Sequence, residues 1–251
     1  MNNANELLDE VKLIVSNVAS SFEQYNNPKF KDYIHSPENN KEIKSFADSF
    51  FEKKILTQLT PFGFPILTEE SGYLTNNSNS DTFFIVDPLD GTFNFVKGLG
   101  PCALSIALWK DKKPIFGVIY DLVTRQLIYG GSKFGSYCDN NKITVSDTKN
   151  KSDASICTGF PTRFELNDSN LNDFFNIIKP FAKVRMIGSA SISLVKVARG
   201  ISDVYFERDI MLWDIAAGIA IVDGAGGKYL LKESSERWSY EVHASNANIL
   251  I

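Results

Sequence analysis

The chain carries acidic residues at positions where chemistry is possible. Glu69 and Glu70 follow a short apolar run and precede Ser71-Gly72. Asp87 and Asp90 sit in the stretch Ile85-Val86-Asp87-Pro88-Leu89-Asp90-Gly91-Thr92-Phe93-Asn94-Phe95. Asp214 follows Trp213 at the head of a long apolar segment, and Asp48 lies in a helical pattern near the N-terminus. Each has an ordinary explanation alone. A loop doublet of acids is usually solvated, Asp90 suits the N-cap of a helical turn over 91–95, and Asp214 suits a helix macrodipole. Together they are a costly set, because clustered carboxylates repel one another and take up protons. Divalent cations remove that penalty, and an all-oxygen set suits Mg²⁺ or Mn²⁺. Pro88 stiffens the link, so Asp87 and Asp90 can be held on the same side of one turn, and the Leu89 carbonyl between them is a further oxygen donor. Gly91 and Thr92 open a helix-like turn whose amides offer an anion site. The Thr92 hydroxyl can hold a water and Glu70 can accept its proton, while a helix start at Gly188-Ser189-Ala190 can form another wall.

The elements that must position these groups are legible from periodicity. Leu8, Val11, Ile14, Val15, Val18 and Phe22 mark a helix over about 5–24. Residues 26–40 read as a loop. A second helix is expected over about 41–59, with Ile43, Phe46, Ala47, Phe50, Phe51 and Ile55 inward and Pro61 and Gly63 ending it. Short strands follow at 64–68 and 83–86, then hairpin-linked strands at 103–109, 114–121 and 126–129. A polar, lysine-rich segment at 141–152 joins two halves, roughly 1–147 and 148–251. Beyond it, strand and helix signals alternate: strands at 154–158, 183–187, 204–206 and 228–231, and helices at 169–179, from Ser189, and over 213–222. The reading is mixed α and β, with helices layered on sheets.

Composition bounds the possibilities. The chain has 251 residues, 43% hydrophobic and 22% charged, with a net charge of −4. Net acidity argues against general affinity for nucleic acid or anionic membrane. Cys102, Cys138 and Cys157 fit neither a disulfide framework nor a zinc site, so reduced packing thiols in a cytoplasm are expected. No signal peptide and no membrane-spanning run is expected. The two histidines, His35 and His243, adjoin no motif and are expected at the surface; Trp213 is expected to anchor packing.

Thr68-Glu69-Glu70-Ser71, the Asp87–Phe95 string and Trp213-Asp214-Ile215-Ala216-Ala217-Gly218 together resemble the inositol monophosphatase family in order and spacing, nearly end to end. Asp48 to Glu52, Gly117 to Tyr120, Gly188 to Ser191, the strand ending at Glu207 and the Ala-Ser-Asn-Ala-Asn close fit as well. The resemblance implies an α+β fold, the layered αβαβα sandwich shared with fructose-1,6-bisphosphatase, and a Mg²⁺-dependent, lithium-sensitive phosphomonoesterase that forms a homodimer. It implies that Glu69, Asp87 and the Leu89 carbonyl hold one metal, and that Asp87, Asp90 and Asp214 hold a second. Glu70, with Asp48, would support a third metal or its waters; Mn²⁺ could replace Mg²⁺. Thr92 and Glu70 would activate water, the Gly91 and Thr92 amides would bind phosphate, and Ala190, Glu207 and Asp214 would face the alcohol. One departure is Lys44, where the family has an apolar residue; Ser45 replaces its threonine.

A small-molecule phosphate ester is the expected partner. Asn94-Phe95 and Glu207 resemble the inositol phosphatase branch, which favours a cyclitol or sugar monophosphate such as inositol 1-phosphate. Arg208 beside Glu207 leaves a bisphosphate open. The alternatives are fructose 1,6-bisphosphate, histidinol phosphate, NADP, adenosine 3′,5′-bisphosphate, or a regulatory binding role contacting the transcription machinery.

Overall fold

The computed structural model describes residues 4–23, 33–35, 43–75, 80–160 and 165–249. Helix α1 (Ala4–Glu23) buries Leu7, Leu8, Val11, Ile14, Val15 and Val18 along one stripe. Strand β1 (Tyr33–His35) pairs antiparallel with β2 (Ile43–Ser45). The expected loop at 26–40 thus contains a strand; its residues 26–32 and 36–40 lie outside the described residues. The second helix, α2 (Phe46–Leu59), starts five residues later than expected. Ser45 is its N-cap, and Asp48 closes a reciprocal capping box onto the Ser45 amide. Its buried face runs through Ala47, Phe51, Ile55 and Leu59, one turn apart. Phe46, expected inward, lies about 100° around from that stripe and is 46% exposed.

The first sheet holds eight strands: β3 (Ile66–Thr68), β4 (Gly72–Leu74), β5 (Thr82–Asp90), β6 (Ala103–Lys110), β7 (Lys113–Asp121), β8 (Gln126–Gly131), β9 (Gly135–Cys138) and β10 (Asn141–Lys142). Their order is β10-β9-β8-β7-β6-β5-β3-β4, antiparallel except where β3 runs parallel to β5. The second sheet holds β11 (Ser155–Thr158), β12 (Lys183–Met186), β13 (Val204–Met211), β14 (Lys228–Glu233) and β15 (Ser239–Ser245), in the order β12-β11-β13-β15-β14. The remaining helices are α3 (Thr92–Lys97), α4 (Asp168–Ile178), α5 (Ala190–Ala198) and α6 (Leu212–Gly224). Sequence periodicity did not reveal β4, β9, β10 or β15. The first three have two to four residues, and β15 interleaves Glu241 and His243 with its buried positions.

Helices α1 and α2 cover one face of the first sheet, around Phe51, Ile55, Phe84, Leu104 and Phe116. Helices α5 and α6 fill the space between the sheets. Ile177 of α4 and Phe181 pack on the far face of the second sheet. The result is the expected αβαβα layering. Helix α6 is apolar all round because it is sandwiched on both sides. Cys102, Cys138 and Cys157 are buried free thiols, as expected of packing residues.

The central layer tolerates no extra atoms at one crossing. A Cβ on Gly117 of β7 would fall on the carbonyl oxygen and Cα of Ala217 in α6. Gly117→Ala is therefore expected to destabilise the protein by about 1–3 kcal/mol or more through overpacking. Urea unfolding would register this as a lower midpoint with an unchanged slope.

Candidate active site

The two aspartates of the central motif are three residues apart, so strict strand alternation would send them to opposite faces. The structure avoids this with a bulge. Asp87 pairs with Ser105 and Asp90 with Ala103, so β5 has one residue more than β6 between these pairs. Pro88 suits the gap, because it has no amide hydrogen to give the ladder. The strand does not stop at Val86 as expected; it runs through the motif to Asp90.

Asp90 does not cap its own helix, as the simplest reading had it. Gly91 is the N-cap of α3, and no side chain caps that end. The Asp90 carboxylate instead meets the start of α5, a hundred residues on. It accepts from the Ser189 hydroxyl at 2.5 Å, the Ser191 amide at 2.8 Å and the Ala190 amide at 3.3 Å. These donors hold it in place, yet burial outweighs them and its carboxyl stays above the usual range. Asp87 is fully buried. One oxygen accepts from the Leu89 amide at 2.9 Å; the other receives no hydrogen bond. Asp214, in the first turn of α6, stands beside Asp87.

Oxygen atoms of Asp87, Asp90 and Asp214 lie within 4.8 Å of one another. Burial raises Asp87 well above the carboxylate range, and the charges of Glu69, Asp90 and Asp214 push further in the same direction. Burial, then Asp90 and Glu207, does the same to Asp214. Three clustered carboxylates with an undonated buried oxygen fit a hard divalent cation. Glu69 lines the cleft above them.

A second acidic group lies behind Thr92. The Thr92 hydroxyl is 2.9 Å from Asp48 and 3.0 Å from the Leu89 carbonyl. The other Asp48 oxygen accepts from the amide and hydroxyl of Ser45, both at 2.7 Å. Burial lifts Asp48 to about 6, with a smaller push from Glu70. Gly91 adopts φ 83°, and a Cβ there would come within 2.9 Å of the Pro101 carbonyl. The Asn94 amide bridges the carbonyls of Pro101 at 2.9 Å and Ile187 at 2.8 Å, tying α3 to the α5 entry.

Glu69, Asp90, Asn94, Ser189 and Asp214 border a cleft of about 550 Å³. Glu207 stands on its far wall, accepting from the buried Tyr205 hydroxyl at 2.7 Å, and burial raises it to about 7. Ala190 and Asp214 line the same cleft. Trp213 packs against the central core, as expected of an anchor, and also borders the cleft. Arg208 is not in it. Alternation along β13 turns it to the opposite side, where it pairs with Glu241 at 2.9 Å. This removes the cation that suggested a second phosphate there. His243 is half-buried on β15 against Phe206 and Glu241, not at the surface as expected. His35 lies in β1 and its side chain is outside the described residues. Sequence reasoning placed Ser189 in a wall of the site and Asn94 in a branch signature, but did not foresee that Ser189 and Ser191 donate to Asp90 or that Asn94 ties α3 to the α5 entry. The N-cap signal of a serine before an apolar run marked the α5 start, but not what it would hold.

The inositol monophosphatase family model matches residues 9–248. A protein of Aquifex aeolicus, named fructose-1,6-bisphosphatase/inositol-1-monophosphatase, is 34% identical over 195 residues, 76% of this chain and 73% of its own. A Pasteurella multocida protein named Nus factor SuhB is 38% identical over 64% of this chain and 61% of its own. Among solved structures, the inositol monophosphatase of Anabaena superposes with a TM-score of 0.82 at 29% identity, over 98% of this chain and 93% of its own. The extragenic suppressor protein suhB of Bartonella henselae gives 0.84 at 29%, over 97% and 95%. The layered fold, the acidic cluster beneath its cleft and the match across nearly the whole chain place this protein in the inositol monophosphatase family, as a phosphoric monoester hydrolase.

Proposed function

We propose that the protein hydrolyses the phosphate monoester of a cyclitol or sugar, with inositol 1-phosphate as the leading substrate. The observation that carries this reading is the Asp87–Asp90–Asp214 cluster at the base of a cleft whose far wall is Glu207. In this reading Glu69, Asp87 and the Leu89 carbonyl hold one Mg²⁺, and Asp87, Asp90 and Asp214 hold another. Mn²⁺ can substitute, and Glu70 with Asp48 supports a third ion or its waters. Bound ions of this kind neutralise phosphoryl oxygens, lower the pKa of a water and stabilise a leaving alkoxide.

The chain's own residues supply placement and proton handling. The amides of Gly91 and Thr92 receive phosphate oxygens at the uncapped start of α3. Thr92 orients the attacking water, and Asp48 fixes the direction of the Thr92 hydroxyl. Glu70 takes the proton from that water. Glu207 accepts hydrogen bonds from substrate hydroxyls, Ala190 leaves room beside it, and Asp214 faces the leaving oxygen. The half-chains 1–147 and 148–251 form two subdomains with the cleft at their junction. Lithium inhibition, a homodimer and a cytoplasmic location belong to the same reading; no described helix is long and apolar enough to cross a membrane. A second reading, binding to transcription machinery, is favoured by the similarity to proteins named Nus factor SuhB.

Two measurements test this. Phosphate release is followed with inositol 1-phosphate, fructose 1,6-bisphosphate, histidinol phosphate, NADP and adenosine 3′,5′-bisphosphate, with Mg²⁺, with chelator and with lithium. Mg²⁺-dependent turnover of inositol 1-phosphate is expected. Asp87→Asn and Asp90→Asn are expected to lose more than about 100-fold, since even groups behind metal ligands cost about 10–100-fold. No turnover of any substrate by folded protein would overturn the phosphatase reading and leave the binding role.

The second measurement is stability against pH. Asp48 at about 6 and Glu207 at about 7 both lie above their ordinary values of 3.8 and 4.5. Groups raised on folding bind protons that the unfolded chain has released, so their contribution is full below about pH 4 and is lost as pH rises through 6 and 7. Asp87, Asp90 and Asp214 shift in the same direction. In chelator, the melting temperature should fall from pH 5 to pH 8. Mg²⁺ should restore it at pH 8. A flat profile with no cation effect would contradict the metal reading.

A further inference from the structure

Glu52 lies on α2 one turn after Asp48, hence on the same face of the helix. It is 8% exposed, and both its oxygens are used. One accepts from the Thr68 hydroxyl at 2.8 Å and the Ser71 amide at 3.0 Å; the other accepts from the Ser71 hydroxyl at 2.9 Å. Thr68 and Ser71 bracket Glu69 and Glu70. The doublet therefore occupies a tight turn whose two ends are fastened to one carboxylate.

The turn closes a short hairpin whose strand β3 is buried and paired on both sides and whose Tyr73 packs on Phe83 and Trp238. It joins β3 and β4, each only three residues long, and β4 is the edge of the sheet. A three-residue edge strand such as β4 opens more readily than the strands inside the sheet. The Glu69 amide makes a long ladder bond of 3.3 Å to the Val86 carbonyl. Helix α2, by contrast, is fixed by its buried stripe of Ala47, Phe51, Ile55 and Leu59. Its Asp48 reaches Thr92 while its Glu52 reaches the turn. One rigid helical turn thus sets the spacing between the acidic doublet and the Thr92 hydroxyl.

We propose that Glu52 is a positioning residue that clamps the Glu69–Glu70 turn and, through it, sets both cation affinity and the placement of Glu70. This rests on the metal-binding reading given above. The donors it receives demand acceptors, so Glu52→Gln, which keeps one carbonyl oxygen and can turn its amide to the Ser71 hydroxyl, preserves most of the clamp. Glu52→Ala abolishes it. Ser71→Ala, at an exposed position, removes one strand of it and leaves the helix untouched.

The test uses the full chain and three readouts: Mn²⁺ binding by depletion of the free-ion EPR signal, kcat and KM for inositol 1-phosphate, and amide hydrogen exchange. Glu52→Ala should weaken Mn²⁺ binding and lower kcat by about tenfold each, with KM nearly unchanged. Glu52→Gln should recover most of both, and Ser71→Ala should fall between wild type and Glu52→Ala. Exchange at residues 69–72 should quicken in Glu52→Ala and Ser71→Ala, with the α1 and α6 amides unchanged. Wild-type Mn²⁺ binding and exchange at 69–72 in both variants would overturn the clamp. So would a Glu52→Gln variant no better than Glu52→Ala. If wild type binds no Mn²⁺, the metal reading fails, and exchange alone decides the clamp. If Glu52→Ala does not fold, Ser71→Ala decides it.

Discussion

The structure depends on keeping several carboxylates close together in a place that water barely reaches. Asp87, Asp90 and Asp214 converge from two strand-to-helix junctions, and burial raises all three. A fold spends stability on such an arrangement, because each charge loses solvent and gains like-charged neighbours. The compensation within the protein is uneven. Asp90 receives three donors from the start of α5, while one oxygen of Asp87 receives none. The helix end steadies one member of the cluster and leaves another open to an external positive charge.

That arrangement explains much of the architecture between the sheets. Helix α5 must aim its N-terminus at Asp90, and α6 must bring Asp214 beside Asp87. Both are packed in the central layer, where Gly117 and Gly218 let backbone and side chains approach closely. The Asn94 side chain fastens the α3 loop to the residues entering α5. Acidic chemistry on one side of the cleft is therefore held to the apolar core on the other by few rigid pieces. Glu207, buried against Tyr205, adds an acid on the wall facing the cluster, in a lining that also includes the apolar Phe93, Leu99 and Met186.

The outer helix α2 has a separate function in this scheme. Its propensity is unremarkable, and two of its acids are buried. Asp48 and Glu52 do not reach the cluster, but each holds an element that borders it: the α3 entry and the β3–β4 turn. Buried acids on an amphipathic helix are uncommon unless paired. Here the partners are hydroxyls and amides of neighbouring loops, which favours fixed geometry over net stabilisation.

By itself the sequence determined the element types along most of the chain, a mixed α and β architecture with helices layered on sheets, and the identity of the acids, because periodicity and residue chemistry are local. Resemblance to a family added their roles as expectations. It could not show how Asp87 and Asp90 come to the same side, since that needs a one-residue register shift against β6. Nor could it show that Asp90 is held by a helix a hundred residues away, that Arg208 turns away from Glu207, or that Glu52 closes the doublet's turn. Short strands such as β4 and β9 also escaped it, because their pairing energy comes from neighbours distant in the chain. These features follow from contacts between segments far apart in sequence, and only the tertiary structure decides them.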